Sequence, residues 1–203
     1  MSRDTIFSKI RSAISELDCK AEHPGFEDDT IVSSSRLGSD SPKAAFKRNF
    51  EAVNGRVMNS CDEVVALLHE QGQTHGYCDP ELMESVGQRL VDAGLEVETS
   101  YDRERYDDYA FGITRATGAI AESGSLILDD AKTSDRLAAL SPWVHVAVLR
   151  ESEILRTIPE ALGRLNTSRN IIWATGPSKT ADVEGILIEG VHGPGEQIAL
   201  FVD

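Results

Sequence analysis

Short apolar runs alternate along this chain with segments whose apolar residues recur every three or four positions, and that alternation restricts the fold more than any other feature. Strand-like runs occupy residues 56–58, 74–78, 95–98, 110–114, 118–121, 125–128, 144–149, 170–174 and 197–202. Between them the spacing predicts a helix over 46–53 and another from an Asp62 N-cap through Val65, Leu68 and His69. A third starts near Pro80, carries Leu82, Val86 and Leu90, and stops at Gly94. Within 151–165, Ile154, Ile158 and Leu162 predict a further helix, interrupted by Pro159. Strands alternating with helices imply an α/β fold with a mostly parallel sheet covered on both faces.

The beginning of the chain has a different texture. Ile6, Ile10, Ile14 and Leu17 form one apolar stripe on an amphipathic helix over 4–17, a face suited to docking. Residues 23–42 are rich in Asp, Ser and Gly and too poor in large apolar residues to offset their ordering entropy. The expected division is therefore an N-terminal helix and flexible linker over 1–43, followed by one α/β domain over 44–203. A length of 203 residues suffices for one substantial core.

Charge and cysteine usage narrow the partners. With 20 basic against 34 acidic side chains, the net charge of −14 repels a phosphate backbone or an anionic lipid surface, so nucleic acid is not an expected partner. Cys19, Cys61 and Cys78 contain no C-x-x-C pair, which argues against a disulfide framework or a cysteine-held cluster and fits a reducing, cytoplasmic setting. No apolar run has the length of a membrane span, and Arg3, Asp4, Lys9 and Arg11 stand where a signal peptide would be apolar.

Three places carry candidate chemistry. Gly176-Pro177-Ser178-Lys179-Thr180-Ala181-Asp182 follows the apolar run Asn170-Ile171-Ile172-Trp173-Ala174, where a buried strand would emerge into solvent. A turn there leaves the Ser178 and Lys179 N–H groups without ladder partners beside a cation and a hydroxyl, an anion cradle or simply a turn. Glu122, at the end of an apolar strand and beside Gly124, suits a nucleophile or general base, or accepts hydrogen bonds from its own turn. His192 lies in a glycine-rich loop from which its ring can reach a cleft, whereas His145, inside an apolar run, reads more readily as a hydrogen-bonded core residue. No Walker loop, dinucleotide fingerprint or spaced metal-ligand set is present, so neither a nucleotide nor a metal is expected.

In order along the chain, Gly112-Ile113-Thr114, Ala121-Glu122-Ser123-Gly124-Ser125, Pro142 followed by His145, the Gly176–Asp182 turn, and Gly190-Val191-His192-Gly193-Pro194 resemble the LUD-domain, lactate utilisation protein C-like family over roughly 44–203. The resemblance implies a three-layer α/β sandwich like that of the sugar-phosphate isomerase and CoA-transferase superfamily. It also implies an accessory role in oxidising L-lactate to pyruvate, with no cofactor on this chain and iron–sulfur clusters in separate partner proteins. On that reading Gly176, Pro177, Ser178, Lys179, Thr180 and Asp182 bind a small anion, and Glu122 and His192 face the same cleft as catalytic groups. Lys179 stands where relatives often have arginine, keeping the charge but losing a bidentate fork. Two alternatives remain open: a CoA-transferase-like enzyme with Glu122 attacking a thioester, and a non-catalytic binding or regulatory module working through its acidic surface and N-terminal helix.

Overall fold

The computed structural model describes residues 2–15, 37–38, 40–129, 135–164, 170–181 and 185–202. It divides into two compact units, Met1–Ile31 and Val32–Asp203. In the first, helix α1 (Arg3–Ser15) carries Ile6, Phe7, Ile10 and Ile14 exposed, with the Arg3 and Arg11 guanidinium groups 5.2 and 5.9 Å from the Phe7 ring centre. The expected extension of this helix to Leu17, and most of the expected linker, lie outside the described residues.

The second unit is built on a six-stranded sheet. β1 (Arg56–Met58), β2 (His75–Cys78), β3 (Glu96–Glu98), β4 (Phe111–Arg115), β7 (Val144–Leu149) and β12 (Glu196–Phe201) are ordered β1-β12-β7-β4-β2-β3, and every pairing is parallel. All six residues of β7 are buried. Val144, Val146 and Val148 join one core with Val64, Leu68, Val86 and Leu90, while Ala147 and Leu149 join another with Phe46, Phe50 and Leu126. Period-two alternation divides one apolar run between two cores, which is why it shows no polar face.

Helix α3 (Cys61–Glu70) and α4 (Gln88–Asp92) cover the first face. The helical path into α4 starts as a 3-10 turn at Pro80–Leu82 and widens to a π turn over Met83–Gly87. The α3 cap is Ser60 rather than Asp62: Ser60 Oγ accepts the Glu63 N–H at 3.3 Å, and the Glu63 carboxylate returns to the Asn59 N–H. Asp62 instead sits in the first turn, where its charge complements the helix dipole. Helix α2 runs over Pro42–Glu51, four residues earlier at its start than spacing predicts, because Ser41 caps it and Pro42 fits its first turn.

The second face departs from simple helical cover. α2 shares it with α5 (Leu137–Leu140) and with a four-stranded sheet ordered β8-β5-β6-β9. These strands are β5 (Gly118–Ile120), β6 (Ser125–Asp129), β8 (Ile154–Leu155) and β9 (Ile171–Ala174), and the β5–β6 and β6–β9 pairings are antiparallel. Residues 121–124 are too short a connection for a crossover, so β5 and β6 must form a hairpin. The run 170–174 is accordingly not a buried strand of the parallel sheet: β9 is the half-buried edge of this smaller sheet. Helix α6 (Ile158–Arg164) follows β8, beginning just ahead of Pro159, which occupies its first turn instead of interrupting it. A separate two-stranded hairpin joins β10 (Lys179–Ala181) to β11 (Leu187–Glu189).

Candidate functional site

The turns at 121–125 and 175–179 pack on the C-terminal end of α2 and the residues just after it, while the loop around His192 packs on Trp143 and Ser178. Gly124 has φ +64° and packs so closely on α2 that a Cβ would lie 2.5 Å from the Phe50 nitrogen. Asn49 Nδ2 donates to the carbonyls of Ala121 and Glu122 at 2.8 and 3.2 Å. Gly176, with φ +77°, places its α-carbon against the Val53 carbonyl, where a Cβ would approach to 2.4 Å. Hydroxyls link the two turns: Ser123 meets Ser125 at 2.8 Å, and Ser125 meets Thr175 at 2.7 Å.

The chemistry-bearing atoms of these loops have partners within the protein. Glu122 is 5% exposed, and its Oε2 accepts the Ile158 N–H at 3.1 Å, so it caps the start of α6. The Ser178 N–H is not free: it donates to the Pro194 carbonyl at 2.9 Å, and the Ser178 carbonyl accepts the Gly190 N–H at 3.0 Å. The expectation of an open amide fails because the 176–178 turn and the glycine-rich loop around His192 complete each other's backbone hydrogen bonds. Lys179 Nζ donates to the Val53 carbonyl at 3.0 Å and lies 3.4 Å from Glu189, whose carboxylate also accepts from Asn54. These contacts hold Glu189 below its ordinary pKa: the Asn54 bond contributes most, burial opposes it, and the Lys179 bond and charge add to the lowering. A lysine closing the carbonyl end of a helix is a stabilising arrangement in its own right.

His192 is exposed in the loop that packs on Ser178 through Gly193. Pro177 is buried beside Gly176, Thr180 pairs with Ile188 across the hairpin, and Asp182 lies outside the described residues. His145 is a core residue: fully buried, its ring meets Thr114 Oγ1 at 2.9 Å through Nε2 and Gln197 at 2.7 Å through Nδ1. Burial pushes its pKa down to about 4, with the Gln197 bond opposing.

A cavity of about 500 Å³ opens at the other rim of the central sheet, beyond the carboxyl ends of its strands. One wall is Arg115, the last residue of β4, with Arg150, the first residue after β7. The turns leading into α4 add Glu81, Glu84 and Ser85 to the lining, and Leu82, Val148 and Val202 complete it. None of the nominated residues that are described lines it. Carboxyl ends of parallel strands are where α/β sheets present ligand sites, since side chains from separate strands converge there on a rigid frame.

The arginine wall is braced from behind. Arg115 Nη1 donates to the Val148 carbonyl at 3.0 Å, its other terminal nitrogen pairs with Glu153, and Glu153 also accepts the Arg150 N–H at 2.7 Å. Burial works against the Glu153 carboxylate, but the Arg115 bond, the Arg150 N–H and both guanidinium charges outweigh it and hold its pKa below the ordinary value. A second cavity of about 260 Å³, reached by Asn59 and Arg89, shares Ser85 and Val202 with the first. Among the described residues no group of three His, Cys, Asp or Glu side chains is placed to hold a metal ion. None of their helices is long and apolar enough to cross a membrane.

Arg115 and Arg150 were legible in principle, because each directly follows an apolar run of strand length. The π turn presenting Glu84 and Ser85 left only a faint trace: Leu82, Val86 and Leu90 recur every four residues, slightly longer than an α-helical period.

Comparison with known proteins agrees with this architecture. The chain is 38% identical over 87 residues to lactate utilization protein C of Deinococcus radiodurans, covering 40% of this chain and 41% of that protein. It is 28% identical over 142 residues to lactate utilization protein C of Oceanobacillus iheyensis, covering 66% and 59%. Its match to the Bacillus subtilis protein of the same name is 34% identical over 99 residues, covering 45% and 41%. The chain thus spans less than two thirds of the length of these relatives. A crystal structure of a DUF162 family protein from Deinococcus radiodurans superposes with a TM-score of 0.58 at 20% identity, covering 80% of this chain and 96% of that one, and shows the same fold. The LUD domain profile matches residues 81–202, a span that includes Arg115, Arg150, the turns carrying Glu81 and Glu84, and the loops at 121–125 and 176–182. With more than half its length inside that match, the chain belongs to the LUD domain family.

Proposed function

We propose that this chain serves lactate utilisation as an accessory component in the oxidation of L-lactate to pyruvate, and that it holds the small carboxylate at the carboxyl rim of its central sheet. The observation that carries the reading is the pairing of Arg115 and Arg150 on adjacent strand ends, lining a cavity large enough for an organic acid. A guanidinium braced by a neighbouring carboxylate is pre-oriented, so less conformational entropy is lost when it binds an acid. The names of the relatives supply the pathway. Electrons removed from lactate are handled, on this reading, by separate iron–sulfur proteins.

The division of labour is tested by reconstitution. The purified chain is added to the iron–sulfur proteins of a lactate oxidation system, and lactate-dependent reduction of an artificial electron acceptor is followed. The reading expects activity that depends on this chain and falls with Arg150→Gln. Full activity without the chain would refute it. A nucleophilic Glu122 is the weaker reading, since its carboxylate is already committed to the Ile158 N–H and it is nearly inaccessible.

A further inference from the structure

We infer that His75 is a proton-dependent clasp: as an imidazolium it pins residues 99–109 to the start of β2, and on losing a proton it lets that segment loosen. The proposed carboxylate site plays no part in this, since His75 opens β2 whereas the cavity lies beyond the carboxyl ends of the strands. Donors and acceptors fix the charge of the ring. Nδ1 of His75 lies 2.9 Å from the Asp108 carbonyl, and Nε2 lies 3.1 Å from Glu98 Oε1. Both partners only accept, and a neutral imidazole carries a single N–H, so only the doubly protonated ring donates to the two at once. Glu98 stands there as a carboxylate: Arg105 Nη2 donates to both its oxygens, at 3.2 and 3.0 Å, and the Tyr109 hydroxyl donates to Oε2 at 2.9 Å.

The charges around the ring favour this form. Glu96 and Glu98 come from β3, and Arg105, the opposing cation, is itself paired with Asp102 and Asp108. Tyr109 stacks on the imidazole with ring centres 5.2 Å apart. Burial works against the charge, but the carbonyl and the two carboxylates outweigh it. The pinned segment has little else to hold its middle: no residue of Arg103–Asp108 is buried, and the Arg103–Asp135 pair, 3.2 Å long, has an exposed guanidinium. Aromatic packing anchors its ends, with Tyr109 on Tyr101 at 4.6 Å and Tyr101 against Tyr77 at 5.7 Å. Once the ring is neutral, one of its nitrogens presents a lone pair to an acceptor, and either the Asp108 or the Glu98 bond is lost. Loss at Asp108 frees the stretch between those anchors.

Two measurements on the full chain test this. Nitrogen-15 NMR of the histidine side chains at about pH 6.5, where an ordinary imidazole is half charged, should show both His75 nitrogens protonated in most molecules, with His75→Gln supplying the assignment. Hydrogen exchange read by mass spectrometry from about pH 6 to about pH 9, corrected for the intrinsic pH dependence of exchange, should show protection of 99–109 falling about fivefold or more. Over the same range the 121–125 turn, whose partners are Asn49 and Thr175, should keep its protection. His75→Gln, whose amide does not titrate, should leave the segment poorly protected at every pH. A largely neutral His75 at the lower pH, protection of 99–109 that ignores pH, or a pH response that survives in His75→Gln would overturn the inference. The wild-type exchange profile decides even if the variant is too unstable to compare.

Discussion

His145 should make this protein lose stability on mild acidification, and the size of the loss follows from its surroundings. Fully buried between β4, β7 and β12, its imidazole is neutral when folded, with a pKa of about 4 against the ordinary 6.5 of an exposed imidazole. Between those values the unfolded chain binds a proton that the folded one refuses, so stability is full above pH 6.5 and falls as the pH drops towards 4. Integrating one proton over that window gives a loss of about 2 kcal/mol at pH 5 and about 3 kcal/mol at pH 4. Against a typical domain stability of roughly 5–15 kcal/mol, that loss is readily measured.

His75 works in the opposite sense. Burial pulls its pKa down, but the Asp108 carbonyl, the Glu98 carboxylate and the nearby Glu96 charge outweigh burial and raise it, so its contribution is full below 6.5 and lost as pH rises through the folded value. The two must therefore be separated by difference. Urea denaturation of the wild type and of His145→Gln, from pH 7.5 to 4, cancels His75 and the surface carboxylates and leaves the His145 component. The wild type should lose about 3 kcal/mol more than the variant over that range. Parallel curves would show that His145 is protonated in the folded protein or is not sealed from water, and the reasoning would fall.

Other consequences concern the loops on α2. Glu122→Ala should cost about 1 kcal/mol by leaving the Ile158 N–H of α6 without its acceptor, and Glu122→Gln, which retains one, less than half as much; thermal melts check both, and lost lactate-dependent activity with unchanged stability in Glu122→Gln would restore a chemical role. Gly176→Ala should cost about 1–3 kcal/mol because a positive φ and a 2.4 Å approach to the Val53 carbonyl both oppose a side chain; an unchanged urea midpoint would mean the turn is not held against α2. Lys179→Met should lower stability by about 1 kcal/mol, chiefly through the lost bond to the Val53 carbonyl, and leave lactate affinity intact; weakened affinity by titration would return the anion site to this turn.

Much of the architecture could be read before any coordinate. The runs that became β1, β2, β4, β7 and β12 are short, apolar and separated by helical spacing, and local periodicity of that kind survives tertiary packing. The smaller sheet was only half visible. Its strands had the right composition, and the short 121–124 connection already demanded a hairpin, but nothing local to 170–174 says that its partner is β6 rather than a parallel neighbour. Strand partnership is a long-range property and leaves no mark on either strand alone.

The sequence by itself determined an acidic, cysteine-poor α/β chain with a mostly parallel sheet and family-like loops at 121–125, 176–182 and 190–194. It did so because burial periodicity, turn chemistry and net charge are properties of neighbours in the chain. Only the tertiary structure decided which polar groups pair with which and which side chains line the cavity. Lys179, Ser178 and Glu122 meet partners far away in sequence, at Val53, Pro194 and Ile158, while Arg115 and Arg150 come together because β4 and β7 are adjacent and parallel. Hydrogen-bond satisfaction depends on what folding brings within about 3 Å, and no reading of one segment contains that information.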